Sequence, residues 1–312
     1  METFSGGLSR RDFLRGAIGG AIVATSRLPA RAEDAAAAQS STPYRRGRLN
    51  AVFQHVKAGA TKPFSVLHIS DTHLTAAYPS EGEKFCRFME RRTKTFGGMQ
   101  EESLAVSIEY AKRNADYLVH TGDLIDFPGE ANFDLVRKYF GSADGLIGAI
   151  GNHDYFHGKD EQRRADTFKD AQKAFPFDLT ISSTIVNGVN FIALDNSFGL
   201  ISEAQAARFE EEVKKGLPII ICAHLPVFSL PNIWAAASKH GKAFRDPAKW
   251  VEPQNPDPFT REFKKRLKAE PLLRAVLAGH YHFTVQDRIS PTAVQYAVGG
   301  NFMFIGQEIM IT

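Results

Sequence analysis

The chain has 312 residues, 43% hydrophobic and 23% charged, values of a soluble globular protein that exclude a disordered or fibrous one. Five of its 38 basic residues (Arg10, Arg11, Arg15, Arg27 and Arg31) and two of its 35 acidic ones (Glu2 and Asp12) lie in residues 1–32, so 33 of each sign remain. The net charge of +3 therefore belongs to the N-terminus, and the formally neutral remainder lacks the basic footprint of a nucleic-acid binder, so no nucleic-acid partner is expected.

In chain order, Ser9-Arg10-Arg11-Asp12-Phe13-Leu14-Arg15 precedes the small, mildly apolar run 16–25 and then Ala30-Arg31-Ala32. This resembles a twin-arginine signal peptide over residues 1–32: a basic front, a short apolar middle and a small-x-small cleavage site. An apolar run of about ten residues is too short for the roughly 20 of a membrane span, and Glu33 rather than a Cys stands directly after Ala32, so no stable membrane anchor is expected. The resemblance implies a protein carried folded by the twin-arginine export machinery to the periplasm or the cell exterior. Residues 33–48 read as a linker and 49–312 as one domain.

Beyond the linker, apolar runs rich in β-branched residues alternate with helical patterns. Residues 64–70, 116–121, 146–150, 189–194, 218–223 and 272–278 read as strands, and 102–114, 131–140, 160–174, 202–215 and 259–269 as helices. Ser202 with Gln205 forms a capping-box pattern at the start of the fourth helix. Residues 285–312 read as short strands broken by glycines. Such alternation predicts a layered α/β fold with helices outside and ligands at the carboxyl ends of the strands. Cys222 falls in a strand and Cys86 in a polar stretch; whether they pair is open, and no thiolate zinc site is expected because neither lies beside the histidines.

Five segments each follow a predicted strand: Asp71-Thr72-His73, Gly122-Asp123, Gly151-Asn152-His153-Asp154, Ala223-His224 and Gly279-His280-Tyr281-His282. Singly, an Asp after a strand is an ordinary turn residue and a loop His is ordinarily solvated. Together they form a set of carboxylate and imidazole donors suited to Zn, Mn or Fe. In extended chain, residues two apart share a side, so Asp71 with His73 and His280 with His282 would act in pairs. The glycines would let the chain bend sharply and let a metal approach the backbone.

These five blocks resemble the ordered pattern of the calcineurin-like metallophosphoesterases: D-x-H, G-D, G-N-H-D/E, H and G-H-x-H. Ala223 stands where that pattern often has Gly. The resemblance implies a four-layer α/β/β/α sandwich, two central mixed sheets flanked by helices, and two divalent or mixed-valence metal ions (Mn, Fe or Zn). It puts Asp71, His73, Asp123 and His282 on one ion and Asp123, Asn152, His224 and His280 on the other. It further implies hydrolysis of a small phosphomonoester or phosphodiester by in-line attack of a metal-bound hydroxide. His153 would stabilise charge or protonate the leaving oxygen, and Asp154 would orient His153. Asp126 is read equally as an acceptor behind the ligands or as a cap. It stands where the purple acid phosphatase branch has Tyr, so no tyrosinate-ligated ferric site is expected. Specialisation for cyclic nucleotides, nucleotides or lipid head groups is the alternative within enzymes, and a non-catalytic module on the same scaffold the alternative outside them.

Two stretches lack regular patterning. Residues 74–99 carry Arg87, Arg91, Arg92 and Lys94, and residues 225–258 carry Phe228, Trp234, Trp250 and six prolines. Long irregular loops are commonly functional, so both are expected to fold over the site; the basic group also reads as a solvated helix face.

Overall fold

The computed structural model describes residues 48–141, 145–155, 161–228, 231–239 and 257–312. The signal-like segment, all but the last linker residue, and Trp250 lie outside the described residues.

Two mixed sheets form the centre. The first contains β1 (Asn50–Val56), β2 (Phe64–Ile69), β3 (Tyr117–Thr121), β4 (Leu146–Ala149) and β11 (Ile305–Ile311) in the order β1-β11-β2-β3-β4. β2, β3 and β4 run parallel, and β11 is antiparallel to β2. The second contains β5 (Ile181–Val186), β6 (Val189–Leu194), β7 (Ile219–Cys222), β8 (Leu273–Ala278), β9 (Val285–Arg288) and β10 (Val294–Ala297) in the order β5-β6-β7-β8-β10-β9. Here β6, β7, β8 and β10 are parallel, with antiparallel β5 and β9 at the edges.

Alternation along the strands explains the layering. Phe64, Val66, Val119, Ile147, Phe191, Ala193, Ile220, Cys222 and Leu277 meet between the sheets. Their neighbours point the other way, as a two-residue period requires. Leu67, Ile69 and Leu118 join Leu104, Val136 and Phe140 on one outer face, while Ile192, Ile219 and Ile221 join Phe209, Phe263 and Leu267 on the other. The helices supplying those side chains are α2 (Gln100–Asn114) and α3 (Glu130–Phe140) on the first face, and α6 (Glu203–Val213) and α8 (Pro258–Lys268) on the second. The result is the four-layer α/β/β/α sandwich.

Local chemistry sets the helix starts. Ser202 Oγ accepts the Gln205 N–H at 3.2 Å and Gln205 Oε1 accepts the Ser202 N–H at 2.9 Å, closing the capping box of α6. Asp257 caps α8 by accepting the Thr260 N–H at 2.6 Å, with Pro258 in the first turn.

Both stretches without evident pattern contain helices. Residues 83–95 form α1 (Glu83–Thr95), and residues 231–239 form α7 (Pro231–Lys239); between α1 and α7 the chain also forms α4 (Asn152–Tyr155) and α5 (Glu161–Ala174). Asp287 of β9 accepts the N–H groups of Asn232 and Ile233, both at 3.0 Å, which seats the start of α7 on the second sheet's edge. Ile233 and Trp234 pack with Tyr281 and Phe283. No helix among the described residues is long and apolar enough to cross a membrane. Cys86 and Cys222 are both free thiols.

Candidate metal centre

The residues that follow the strand ends do not continue in extended conformation. Seven non-glycine residues have positive φ among the described residues, and five of them are Asp71 (55°), His73 (50°), Asp123 (53°), His280 (72°) and His282 (58°). The left-handed region is strained for L-residues and is tolerated where surrounding structure holds it, as at functional sites. Here the holding is visible: Asp71, His73 and Leu74 donate their N–H groups to the carbonyls of Gly122, Asp123 and Leu124 at 2.9–3.0 Å. The expectation that D-x-H and H-x-H converge through extended chain is thus corrected: the pairs converge through paired left-handed turns.

Close approach between these turns explains the glycines better than bending does. Gly122 alone among the three has positive φ, +90°. A Cβ at Gly151 would lie 2.2 Å from both the N and Oδ1 of Asp123, and one at Gly279 would lie 1.9 Å from Ser70 Oγ and 2.4 Å from Asp71 Oδ2. Neighbouring motif turns, rather than a metal against the backbone, fill the space of the missing side chains.

Two donor clusters result. In the first, His73 Nε2 lies 3.1 Å from His282 Nε2, which lies 3.3 Å from Asp71 Oδ1. In the second, His224 Nε2 lies 3.1 Å from Asp123 Oδ2 and 3.2 Å from His280 Nδ1. Asp123 Oδ2 is also 3.8 Å from His73 Nε2, so one carboxylate oxygen faces both clusters. Asn152, at the start of α4, presents a buried Oδ1 without a hydrogen-bond partner, and Asp71 Oδ1 is likewise buried without one. Buried polar atoms are ordinarily satisfied, so an orphaned Asp71 Oδ1 beside converging imidazoles suits a cation, and the two clusters could hold metal.

Tautomers agree with that reading. His73 Nδ1 is 3.0 Å from Asp126 Oδ1 and His224 Nδ1 is 2.8 Å from the Thr121 carbonyl. Each Nδ1–H is thereby committed, leaving Nε2 with a free lone pair for a ligand, the usual arrangement of metal-binding histidines. Burial opposes charge on His224, yet Asp123 and then Asp71 outweigh it and raise its pKa to about 10. In the metal-free chain the paired carboxylates thus draw a positive charge, a proton on Nε2, onto a fully buried imidazole where a cation would otherwise sit.

His153 stands beside the first cluster, its ring centroid 4.8 Å from that of His73 in an edge-on contact. Its Nδ1 donates to the Asp126 carbonyl at 2.7 Å and lies 3.3 Å from Asp126 Oδ1. Burial lowers its pKa, but Asp123 and Asp126 overcome this and raise it to about 9. Orientation of His153 by Asp154 is therefore corrected to orientation by Asp126, which resolves the open reading of that residue. Asp154 is fully buried and accepts the N–H groups of Gly151 (2.8 Å), Asp123 (3.0 Å) and Ile125 (3.0 Å). Its carboxylate ties the third motif to the second.

The Asp126 carboxylate in turn receives Arg92 of α1 in a fork, Nε to Oδ2 at 2.5 Å and Nη2 to Oδ1 at 2.7 Å. His73, Asp126 and His153 also gather closely enough to suggest a further cation site, but the guanidinium already supplies the charge there. Phe96, immediately after α1, stacks on His73 with centroids 4.4 Å apart and planes 13° from parallel. The basic group of α1 therefore divides: Arg87 pairs with Glu83 in solvent, while Arg92 reaches the site.

Two histidines not singled out from the sequence lie behind the ligands. His120 bonds Thr72 Oγ1 through Nε2 at 2.8 Å and accepts the Gly122 N–H at Nδ1, bridging the first two motif turns. His68 bonds Thr121 Oγ1 at 2.9 Å and Gln307 Oε1 at 3.2 Å. Burial lowers their pKa values to about 3 and about 4. Both sit inside strands, where an isolated His carries no pattern that separates it from an ordinary core residue.

Comparison with known proteins agrees with this geometry. The calcineurin-like phosphoesterase family matches residues 64–283, the span of all five motifs. No curated protein matches the sequence. Similar solved structures include a dimetal phosphatase from Danio rerio (14% identity, 77% of this chain and 89% of that one, TM-score 0.45). Others are a putative 5'-nucleotidase from Staphylococcus aureus (15%, 77% and 49%, 0.45) and a purple acid phosphatase from yellow lupin, Lupinus luteus (14%, 83% and 46%, 0.47). The chain spans about half the length of the last two. On the family match over most of its length, the chain belongs to the calcineurin-like phosphoesterases, which are metal-dependent phosphoester hydrolases.

Proposed function

We propose that this chain is an exported two-metal phosphoesterase that hydrolyses small phosphomonoesters or phosphodiesters by in-line displacement. The observation that carries the reading is the pair of donor clusters sharing Asp123 Oδ2, with Asp71 Oδ1 and Asn152 Oδ1 buried and unsatisfied. Asp71, His73, His282 and Asp123 would hold one ion, and Asp123, Asn152, His224 and His280 the other. Mn, Fe or Zn all suit these oxygen and nitrogen donors. Bound, two such ions lower the pKa of water and clamp the attacking and leaving oxygens of a phosphoryl transfer.

The chain supplies positioning and a proton. Asp154 holds the turns carrying Asp123 and Gly151 in register. Asp126 commits Nδ1 of both His73 and His153, which leaves His153 Nε2 to meet a leaving oxygen, and in the metal-free chain Asp123 and Asp126 favour its protonated form. Asp123 Oδ1 accepts the His153 N–H at 2.8 Å, which ties the proton donor to the shared ligand.

Hydrolysis of p-nitrophenyl phosphate and bis-p-nitrophenyl phosphate by the mature protein tests this. It is measured as purified, after chelation, and after addition of Mn, Zn or Fe. Turnover lost on chelation and restored by metal supports the reading, and the ratio of the two substrates assigns mono- or diester preference. Chelation-insensitive turnover, or none with any metal, opposes it. For export, replacing Arg10 and Arg11 by Lys should retain the full-length chain in the cytoplasm; undiminished export would oppose the twin-arginine route.

A further inference from the structure

Helix α1 lies in sequence between the first two metal-ligating motifs and touches the site at two points one helical turn apart. Arg92 grips Asp126 through two parallel N–H bonds, the fork geometry that fixes a carboxylate in plane. Four residues on, the buried ring of Phe96 lies flat against the His73 imidazole. The Arg92 guanidinium itself sits 4.8 Å over Phe96, so the two side chains brace each other. Phe302 closes the other side, 4.7 Å from Phe96 and 5.1 Å from His282.

We propose that Arg92 and Phe96 are positioning residues that clamp His73 into the first ligand cluster, Phe96 from the ring face and Arg92 through Asp126. An imidazole has two freedoms to lose before it ligates well: rotation about its Cβ–Cγ bond and choice of tautomer. Stacking at 13° removes the first, and the Nδ1–H bond to Asp126 removes the second. That bond serves only while the carboxylate stays in place, and the carboxylate is fully buried beside two histidines. Arg92 supplies the opposing charge and the second anchor. His224 has no equivalent, since its Nδ1–H goes to a strand carbonyl that needs no support. The two clusters should therefore respond differently to changes in α1.

The inference rests on the two-metal reading, and one experiment separates the two. The metal-free mature protein is titrated calorimetrically with Zn²⁺ alongside Arg92→Ala, Arg92→Lys, Phe96→Leu and Asp126→Asn. Arg92→Ala should weaken one of two binding events by about 10–100-fold and leave the other within a few-fold, because supporting partners of ligating histidines act on that scale. Arg92→Lys should recover part of the loss by restoring charge without the fork. Adding Arg92→Ala to Asp126→Asn should cost far less than it does in the parent, only the loss of its brace on Phe96, whereas Phe96→Leu should still weaken that event in the Asp126→Asn background. Two unchanged events in Arg92→Ala, or two events weakened together with a lowered unfolding midpoint, would overturn the clamp and leave the metal centre standing. A parent protein that binds no ion would overturn both.

Discussion

Substituting Gly151 by Ala puts one methyl group where the structure has none to spare. The new Cβ would lie 2.2 Å from the Asp123 backbone nitrogen and 2.2 Å from its Oδ1, against an ordinary contact of 3.4 Å or more, so the two turns must separate by about 1 Å. Asp123 cannot rotate away cheaply, because its N–H is held by Asp154 and its Oδ1 by the His153 N–H. Overpacking of this kind costs ~1–3 kcal/mol of stability. A ~1 Å displacement of the ligand facing both clusters should lower turnover by on the order of 10²-fold. The matched control is Gly148→Ala on β4, where a Cβ would meet the Phe177 ring at 2.1 Å, away from the ligands. Urea unfolding and zinc titration of the two variants separate the effects. Both should lose stability, and only Gly151→Ala should lose metal affinity. Native affinity in Gly151→Ala, or equal loss in Gly148→Ala, would refute the argument that close approach at Gly151 sets Asp123.

His153→Asn should lower kcat by ~10²–10⁴-fold with bound metal unchanged; retained kcat would remove the proton-donor role, and lost metal would make the residue structural. Asp154→Asn replaces an acceptor of three N–H groups with an amide that must turn a donor toward them, so it should cost ~1–3 kcal/mol in urea melts and weaken metal binding. Native behaviour there would deny Asp154 its organising role. In the metal-free protein, His120 stays neutral in the fold down to a pKa of about 3, while the unfolded chain takes up the proton near 6.5. Its contribution to stability is thus complete above pH 6.5 and is lost as pH falls toward 3, by up to ~1.4 kcal/mol per pH unit. Urea melts at pH 7 and pH 5 should show a shallower decline in His120→Gln than in the parent, and equal declines would contradict the assignment.

Much of the centre was legible because metal ligation needs donors of fixed type at strand ends, and apolar strands announce where they end. The buried strands β2, β3, β6, β7 and β8 were readable for the same reason. β5 was not, because Ile181-Ser182-Ser183-Thr184-Ile185-Val186 is a half-exposed edge strand without a continuous apolar run. Nor was α1, whose residues are all at least partly exposed and whose pattern is dominated by charge. Its two site contacts depend on where the helix docks, which no local spacing encodes. The role of Asp154 was misread for a similar reason: adjacency in sequence suggested it as the partner of His153, whereas the turn at α4 points Asp154 inward to backbone donors and Asp126 takes His153. His68 and His120 became meaningful only once the fold placed them behind the ligand-bearing turns.

Turnover of the preferred p-nitrophenyl ester, followed while metal-free protein is titrated with defined equivalents of Mn²⁺ or Zn²⁺, tests the two-ion centre most directly. The account predicts that activity appears with the second equivalent bound, and that Asp123→Asn abolishes it by removing the donor that faces both clusters. Full turnover with one equivalent, or in the chelated protein, would contradict it.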